Sequence, residues 1–506
     1  MIERFKKSIS SAQSVAFGTI SMVFFSLVSK FLGFFREMIV AHLFGTSWRF
    51  DAVVIATDST TQMIGIIVGG LSWMMITVYH GIREESPERA KSYVFELISS
   101  LSLIMMGIGF LLFMFPEVIV KIFAPGFKGK IFEYAVRKVR YLSVLPIISG
   151  AKFLLASLLK AERRFFQYSF AQILFNLVVI PVLLVGSRRF SEASYVLAWI
   201  LGEFTLSVFY LILSRRYLKP SLKFFDDDVR RTFRLSLPIM FSSSLYAVNR
   251  IVDKIFASQL PSGRISALRY AGTLVGVLSS VVIANFLSAS YTELSEKVKS
   301  GDIDGALMRL KRTVSISIDL AIPFTFWVML MAEPVIRLVF QHGRFTIEST
   351  QLVGSAVIAY SFIIIMNPIS SILRQLMYTL EKVKILFLIA GSSVILNALF
   401  DWILMKPFGH AGIAASTSIV AFFNMMMLLL FVRRMGFPSF IPWKRFGLIF
   451  SIGIMIYLIF LWSVRFMNFT IWMILGNSVF FAFFSYVNKN LILRIIGGVK
   501  KYIGRG

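Results

Sequence analysis

The sequence predicts an all-α polytopic membrane protein with about fourteen transmembrane helices. Of its 506 residues, 57% are hydrophobic and only 16% are charged, whereas a soluble globular protein has an apolar share of about 45–50%. Apolar stretches long enough to cross a bilayer recur along the chain, and Pro, Gly or clusters of charge separate them. These two observations exclude a soluble domain as the main architecture.

The expected spans follow one another with short loops between them. Their ends are less well determined by hydropathy than their number. They cover approximately residues 14–36, 52–79, 93–115, 133–158, 166–187, 192–213, 233–258, 265–291, 312–331, 350–378, 385–405, 411–432, 446–464 and 470–488.

Similar motifs recur at an offset of roughly 216 to 221 residues. Residues 116–127 resemble residues 333–345, and Asn176 in the fifth span has a counterpart in Asn397 in the eleventh. Six spans are an even number, so the two repeats are expected to have the same orientation in the membrane. The predicted domains are an N-terminal six-helix lobe at 1–224, a C-terminal six-helix lobe at 225–436, and two additional helices with a basic tail at 437–506.

The first span contains three charged residues, Lys30, Arg36 and Glu37. A charge inside a transmembrane helix costs at least about 2.5 kcal/mol, so such residues usually face a partner or a hydrated cavity. Lys30 and Arg36 are six positions apart, which places them about 120° apart on the helix, so both can line one cavity wall. The alternative is two shorter helices from which both side chains reach an interface.

A second polar set is predicted to bind a cation. It comprises Asp253 in the seventh span, Asn397 and Asp401 in the eleventh, and Ile413 and Thr417 in the twelfth. Asn397 and Asp401, like Ile413 and Thr417, are four positions apart and therefore share a helix face. Carboxylate, amide, hydroxyl and carbonyl oxygens suit a hard cation, and Na⁺ fits better than Mg²⁺ because no phosphate or water-rich loop is nearby.

The alternative interpretation of these carboxylates is structural. Asp253 would then pair with Lys254 or Arg250, and Asp401 would cap a helix end. In the tenth span, Arg374 is the best candidate to add positive charge to a central cavity.

Composition also limits the chemistry. There is no Cys and there are four His, which excludes thiolate chemistry and leaves little room for a histidine metal site. The formal net charge of +27 comes from short basic clusters between apolar stretches, so we expect anionic membrane lipids as partners and no nucleic acid. The same charge bias predicts that both termini are cytoplasmic, and no cleavable signal peptide is evident.

No glycine loop for nucleotide binding is found, so an ion gradient or the membrane potential would drive transport. A membrane glycosyltransferase is the alternative from another functional class. Such an enzyme usually needs a sizeable polar loop with carboxylates, and the longest loops here are short and basic.

Several motifs resemble those of the MurJ (MviN-type) lipid II flippases of the MOP exporter superfamily. They are residues 29–37 (SKFLGFFRE), 41–45 (AHLFG), 51–52 (DA), 270–271 (YA), 340–346 (FQHGRFT) and 410–413 (HAGI). The resemblance extends over nearly the whole chain, including the two extra C-terminal helices.

This resemblance implies two six-helix lobes around a central cationic cavity with alternating access. Arg36 matches the first-helix arginine implicated in binding the lipid pyrophosphate, and Lys30 stands where another arginine is common. Glu37 replaces an aspartate. The five residues of the predicted cation set fall on the sodium site of sodium-coupled members.

The resemblance also implies the function. We expect a secondary transporter of the bacterial cytoplasmic membrane, most simply a monomer, that moves an undecaprenyl-pyrophosphate-linked cell-wall precursor, lipid II, to the outer leaflet. It would not be an enzyme. The alternatives are a flippase for another polyprenyl-linked glycan (Wzx-like) or a MATE-like exporter.

Three positions depart from the family pattern. Ile64 replaces a second-helix arginine, Gly69 replaces a glutamate, and Thr273 replaces the arginine after the Tyr-Ala motif. Either Arg374, Lys152 and Arg250 compensate for the missing charges, or the substrate is a different lipid-linked molecule.

Overall fold

Helices form the regular structure throughout the described part of the chain. The structure is a computed structural model that describes residues 15–280, 293–464, 466–489 and 492–493. Within these residues there is no β-strand, and eight helices are long and apolar enough to cross a membrane. Two bent helix pairs raise that number to ten. The predicted all-α membrane fold is confirmed.

The described residues form two compact units. The first contains the residues up to Ser266 together with His342–Thr346, and the second contains Ala267–Gln341 and the residues from Ile347 onward. The lobe boundaries predicted from the sequence repeat stay a prediction. The predicted cytoplasmic termini and the end of the predicted span 265–291 lie outside the described residues.

The first unit contains nine helices among its described residues. The most extensive helix–helix packing in this unit is between α1 and α7, between α7 and α8, and between α2 and α9. The helices are α1 (Val15–Phe44), α2 (Trp48–Glu85), α3 (Pro87–Met114), α4 (Pro116–Phe123), α5 (Lys130–Leu142), α6 (Leu145–Ala161), α7 (Phe165–Phe190), α8 (Ala193–Ser214) and α9 (Asp227–Ala257).

Helix α1 is continuous over 30 residues. It passes through Lys30, Arg36 and Glu37 without a break, so the alternative of two short helices with their charges at an interface is wrong. After a tight turn at Gly45, the Ser47 side chain accepts a hydrogen bond from the Phe50 N–H and caps α2. The turn returns the chain through the same unit.

The predicted fourth span is two helices rather than one. Helices α5 and α6 meet at an angle of 49°, and Pro146 lies in the first turn of α6. Proline is tolerated there because the first N–H groups of a helix have no helical partner. The bend allows one chain segment to follow the surface of the unit and then enter its core.

The loop between α8 and α9 is fixed to α3 by charge. Arg89 on α3 forms ion pairs with Glu96, Asp226 and Asp228, and the Arg89–Asp228 distance is 2.8 Å. The other oxygen of buried Glu96 accepts a hydrogen bond from Ser221 at 2.6 Å. The first turn of α9 is therefore held against α3.

The second unit contains the remaining described helices, and its boundary falls inside the first of them. They are α10 (Arg264–Ser279), α11 (Ile303–Leu330), α12 (Ala332–Phe340), α13 (Ile347–Tyr360), α14 (Ile363–Thr379), α15 (Val383–Arg434), α16 (Trp443–Ser463) and α17 (Phe469–Val487).

The helical path of this unit is interrupted at two places. Helices α13 and α14 meet at 40°, so the predicted tenth span is also two helices. The 52-residue α15 contains a break at Gly409, whose φ of 57° and ψ of −134° suit only glycine. The predicted eleventh and twelfth spans lie on either side of this break.

The two C-terminal helices pack on α11. Arg445 of α16 donates two hydrogen bonds of 2.8 Å to the Asp319 carboxylate, and Trp327 of α11 donates one to Asn477 of α17. At Gly453 the α16 backbone lies directly on the Phe326 ring. These contacts make α16 and α17 part of the second unit.

The crossing of α2 and α9 gives the first prediction. A Cβ atom at Gly70 would lie 2.6 Å from Met240 Cγ and 2.8 Å from the Ser236 carbonyl oxygen. We expect Gly70→Ala to destabilise the protein by about 1–3 kcal/mol, because the two backbones would have to separate. Thermal unfolding of the purified protein in detergent measures this effect.

Gly65 on the same helix provides the control, since a Cβ atom there would meet nothing within 4 Å. Gly65→Ala should leave stability unchanged or raise it by up to about 1 kcal/mol through helix propensity. Equal effects of the two substitutions would contradict the close crossing.

Candidate functional site

The first unit contains a polar cavity of about 420 Å³ between α1, α7 and α8. Its lining combines two basic side chains, one carboxylate, several neutral polar groups and two aromatic rings. The lining residues are Ser26, Ser29, Lys30, Gly33, Arg36, Gln172, Phe175, Asn176, Trp199, Glu203 and Leu206. Lys30 and Arg36 thus line one cavity, as their spacing on α1 predicts.

Arg36 is held by three kinds of contact. Its guanidinium donates to Glu37 Oε1 at 3.0 Å and to Asn176 Oδ1 at 3.2 Å. Its charge also lies over the rings of Phe175 and Trp199, at 5.7 and 5.2 Å from the ring centres. Such cation–π contacts favour a cation where little water is present. Arg36 is therefore fixed in place and its charge is balanced by Glu37.

Asn176 orients this group from α7. Its side-chain amide lies 3.5 Å from the Ser29 carbonyl oxygen and 3.4 Å from that of Gln172, while its own carbonyl oxygen receives Arg36. Ser29 also donates to the Gln172 carbonyl oxygen at 3.3 Å. These bonds tie α1 to α7 at the level of the cavity. The sequence repeat marked Asn176, but it gave no indication of this partner.

Lys30 differs from Arg36 in its surroundings. Its side chain is exposed, and it forms no ion pair with any residue that the structure describes. Its ammonium group is therefore the charge on this cavity that no described carboxylate balances.

Glu203 of α8 supplies the carboxylate of the cavity. Lys152 of α6 forms an ion pair with its Oε2 atom, and the Ser149 hydroxyl donates to the same atom at 2.9 Å. Both charged side chains are nearly buried, with exposures of 12% for Glu203 and 10% for Lys152. Sequence reasoning did not single out Glu203, because its partners Lys152 and Ser149 lie on another helix.

Lys152 therefore does not replace a missing arginine, since Glu203 balances its charge. Ile64, at one of the positions where a family arginine is expected, is 2% exposed within the core. Arg374 belongs to the second unit, where it donates to Ser371 at 2.9 Å and pairs with no carboxylate among the described residues. With Arg36 and Glu203 balanced by their partners, the cavity carries a net positive charge at Lys30, which suits an anion.

Four of the five predicted cation ligands lie in the second unit. Asn397 donates to Asp401 at 3.3 Å, and the Thr417 hydroxyl donates to the Ile413 carbonyl oxygen at 3.2 Å. Ser416, beside Thr417, contacts both oxygens of Asn397. The structure thus brings the two segments of α15 together at these residues.

The break at Gly409 makes this arrangement possible. Gly412 lies so close to the backbone of Leu404 and Met405 that a Cβ atom could not fit. Asp401 is fully buried inside the first segment, so the alternative that it caps a helix end is wrong. Gly412 is part of the HAGI motif at residues 410–413. The close approach of the Leu404 backbone, which requires glycine at this position, could not be predicted from the sequence.

Asp253 belongs to the first unit. Its neighbour Lys254 forms an ion pair with Asp58 of α2 at 2.6 Å. That Asp253 contributes a ligand to a cation site stays a prediction.

Asp51, at the start of α2, has a role that sequence reasoning missed. Its two carboxylate oxygens accept hydrogen bonds from the N–H groups of Gly263 and Ser266, and the Ser266 bond is 2.7 Å long. These N–H groups belong to the start of α10, where the helix has unsatisfied donors and a partial positive charge. Asp51 therefore caps a helix whose remainder lies in the second unit.

The loop His342–Thr346 also belongs to the first unit, where it packs against the end of α1 and the turn at Gly45. The Arg344 N–H donates to the His42 carbonyl oxygen at 2.9 Å, and the Arg344 side chain reaches Glu192 at 3.4 Å. A Cβ atom at Gly45 would overlap the Arg344 carbonyl oxygen, and one at Gly343 would overlap His42. The sequence motifs at residues 41–45 and 340–346 therefore pack against each other.

Comparison with known proteins identifies the family. The family model "Lipid II flippase MurJ" matches residues 40–487 of this chain. The chain belongs to the MurJ lipid II flippase family. The matched region begins after Lys30 and Arg36, so the interpretation of those two residues rests on the cavity geometry. MurJ proteins are flippases rather than enzymes, which confirms the predicted functional class and excludes the glycosyltransferase alternative.

Curated relatives agree with this assignment. "Probable lipid II flippase MurJ" of Rickettsia prowazekii (strain Madrid E) is 26% identical over 419 residues, which cover 81% of this chain and 82% of the relative. The protein of the same name from Aquifex aeolicus (strain VF5) is 27% identical over 414 residues, covering 78% and 80%.

Solved structures show the same fold. "Lipid II flippase MurJ, inward closed conformation" has a TM-score of 0.82 at 21% identity and covers 94% of this chain and 100% of that structure. An inward-facing multidrug resistance MATE transporter of the MOP superfamily has a TM-score of 0.67 at 14% identity, covering 80% and 94%. This MurJ chain is a multi-pass membrane protein with a MOP transporter fold.

The Asp51 cap gives the second prediction. Asp51→Asn replaces one carboxylate oxygen with an amide donor that faces another N–H group. We expect the amides of the α10 first turn to exchange hydrogen at least about 10-fold faster, since hydrogen bonds to charged groups contribute about 1.5–3 kcal/mol. Hydrogen exchange followed by mass spectrometry of peptides covering residues 263–268 measures this rate.

Asp227→Asn is the matched control, because the Asp227 side chain is 99% exposed at the start of α9. It should leave exchange at residues 263–268 unchanged. Unaltered exchange in Asp51→Asn would show that the carboxylate does not hold this helix start.

Proposed function

We propose that this protein moves lipid II across the bacterial cytoplasmic membrane and that Lys30 and Arg36 hold its pyrophosphate. The observation that carries the proposal is the exposed ammonium of Lys30 beside the fixed guanidinium of Arg36 in one polar cavity. Charge-assisted hydrogen bonds from Lys and Arg are the usual means of phosphate recognition in proteins.

The two cations have different parts in this proposal. Arg36 is preorganised by Asn176, Phe175 and Trp199, so little side-chain entropy is lost when a phosphate oxygen binds it. Lys30 is flexible and not paired with a described carboxylate, so it supplies net attraction for the anion. Arg374 lies in the second unit, and its part in binding the substrate stays a prediction.

Alternating access is the mechanism that we propose for translocation. The Asp51 cap joins the start of α2 to the start of α10, and the His42–Arg344 contact joins the end of α1 to the loop His342–Thr346, both within the first unit. The proposal is supported by the fold that this chain shares with an inward closed MurJ structure and an inward-facing MATE transporter.

Sodium coupling is a further part of the proposal. Asn397, Asp401, Ile413 and Thr417 offer amide, carboxylate, carbonyl and hydroxyl oxygens from the two segments of α15. A sodium ion bound there would change the packing of these segments around Gly409. It would shift the transport equilibrium only if it binds one access state more tightly than the other.

The partners follow from the same residues. The lipid-linked precursor is the substrate, and anionic lipids would contact the basic loops. A MATE-like exporter of cationic drugs is the runner-up because MATE structures share the fold. An exporter of cations would be poorly served by a cavity whose net charge is positive.

The third prediction concerns headgroup binding. Lys30→Met keeps the length of the side chain and removes its charge, so we expect affinity for inorganic pyrophosphate and for a short-chain lipid II analogue to fall about 10-fold or more. Isothermal titration of the purified protein in detergent measures both affinities.

Lys121→Met is the control, because Lys121 is an exposed lysine of the same unit that does not line the cavity. It should bind both probes normally. Undiminished binding by Lys30→Met would remove Lys30 from the site, and binding of drugs but neither probe would favour the exporter.

The fourth prediction concerns sodium. We expect Na⁺ to raise the unfolding temperature relative to K⁺ at the same ionic strength, and Asp401→Asn to abolish this difference because it removes a charged ligand. Differential scanning fluorimetry measures it. Asp302→Asn, at an exposed carboxylate of the same unit, should retain the sodium effect.

A wild-type protein that responds equally to Na⁺ and K⁺ would contradict sodium coupling. So would an Asp401→Asn variant that keeps the difference. Asp253→Asn tests separately whether the first unit contributes a ligand.

A further inference from the structure

Glu203 presents a hydrogen-bond acceptor to the cavity that the binding of pyrophosphate does not use. Its carboxylate lines the cavity, and both of its described partners, Lys152 and Ser149, bond to Oε2. Within the described part of the chain, Oε1 accepts no hydrogen bond. A carboxylate oxygen that accepts no hydrogen bond from the protein is available to a donor on a ligand, and hydrogen bonds to charged acceptors are among the stronger kinds.

The charge balance defines that donor. Glu203 is already neutralised by Lys152, so a second cation at Oε1 would add positive charge beside Lys30 in a cavity that is already net positive. A neutral hydroxyl or amide N–H carries no such penalty. A hydrogen bond from a neutral donor to a charged acceptor is also among the stronger kinds.

The position of Glu203 defines which part of the substrate it meets. Glu203 and the Lys30–Arg36 pair line one cavity of about 420 Å³, which is large enough for a phosphate group with one attached sugar ring. Both aromatic rings are already engaged, since Arg36 lies over Phe175 and Trp199 and Tyr195 stacks with Trp199. Recognition of the sugar would therefore depend on hydrogen bonds.

We propose that Glu203 Oε1 accepts a hydrogen bond from a hydroxyl or amide N–H of the sugar joined to the pyrophosphate. This inference rests on the proposed function, because it assumes that Lys30 and Arg36 hold the phosphate. It adds a specificity-determining residue, since the cavity would distinguish a glycosylated phosphate from a bare one. Lys152 and Ser149 act as positioning residues, because both bond to Oε2 and so hold the carboxylate in place.

Two soluble probes test this inference. N-acetylglucosamine 1-phosphate carries a phosphate, hydroxyls and an amide, whereas methyl phosphate carries the phosphate alone. We expect the wild-type protein to bind the sugar phosphate at least about 10-fold more tightly than methyl phosphate. Equal affinities in the wild-type protein would overturn the proposal without any variant.

The variant removes both charges of the pair. Lys152→Met combined with Glu203→Leu avoids the unpaired buried charge that either substitution alone would leave. We expect it to bind the two probes equally, with methyl phosphate affinity unchanged. A preference for the sugar phosphate that survives in this variant would also overturn the proposal.

Asp319→Leu combined with Arg445→Met is the matched control, because it removes a comparable ion pair of the second unit that lies outside the cavity. It should keep the sugar preference. The outcomes separate the two proposals: loss of all phosphate binding in Lys30→Met supports the proposed function whether or not the wild-type protein prefers the sugar phosphate. If neither probe binds the wild-type protein, the proposed function itself fails.

Discussion

The cost of placing charge inside an apolar helical unit is the constraint on which this structure depends. Contacts with Glu37, Asn176 and two aromatic rings offset this cost for Arg36. The ion pair between Lys152 and Glu203, together with the Ser149 hydroxyl that donates to Glu203, offsets it for those two charges. Each balanced charge ties together helices that are distant in sequence. Lys30 is left beside them as a charge that no described carboxylate balances, so the proposed binding site lies next to the contacts that stabilise the unit.

Hydropathy and residue spacing predicted much of this arrangement. Every predicted span falls on helical structure in the described residues, because a helix in lipid must satisfy its own backbone and so must be long and apolar. The position of Lys30 and Arg36 on one cavity also followed from their separation along α1. Both properties are local, so a single sequence contains them.

The partners of these residues could not be predicted, because they depend on how helices pack. Nothing in the sequence indicated that Asn176 would orient Arg36 or that Glu203 would line the same cavity. The angles of the bends within two predicted spans depend on packing in the same way. The capping role of Asp51 had a weak local signal, an acidic residue in a first helical turn, but its partners are more than 200 residues away.

Complementation tests the central claim most directly, namely that this member of the MurJ family translocates lipid II. The intact gene would be expressed in a bacterium depleted of its own lipid II flippase, with membrane insertion verified by immunoblotting. The account predicts that growth is restored. If the inserted protein fails to restore growth yet transports another polyprenyl-linked glycan in reconstituted vesicles, the assignment of lipid II as its substrate is wrong.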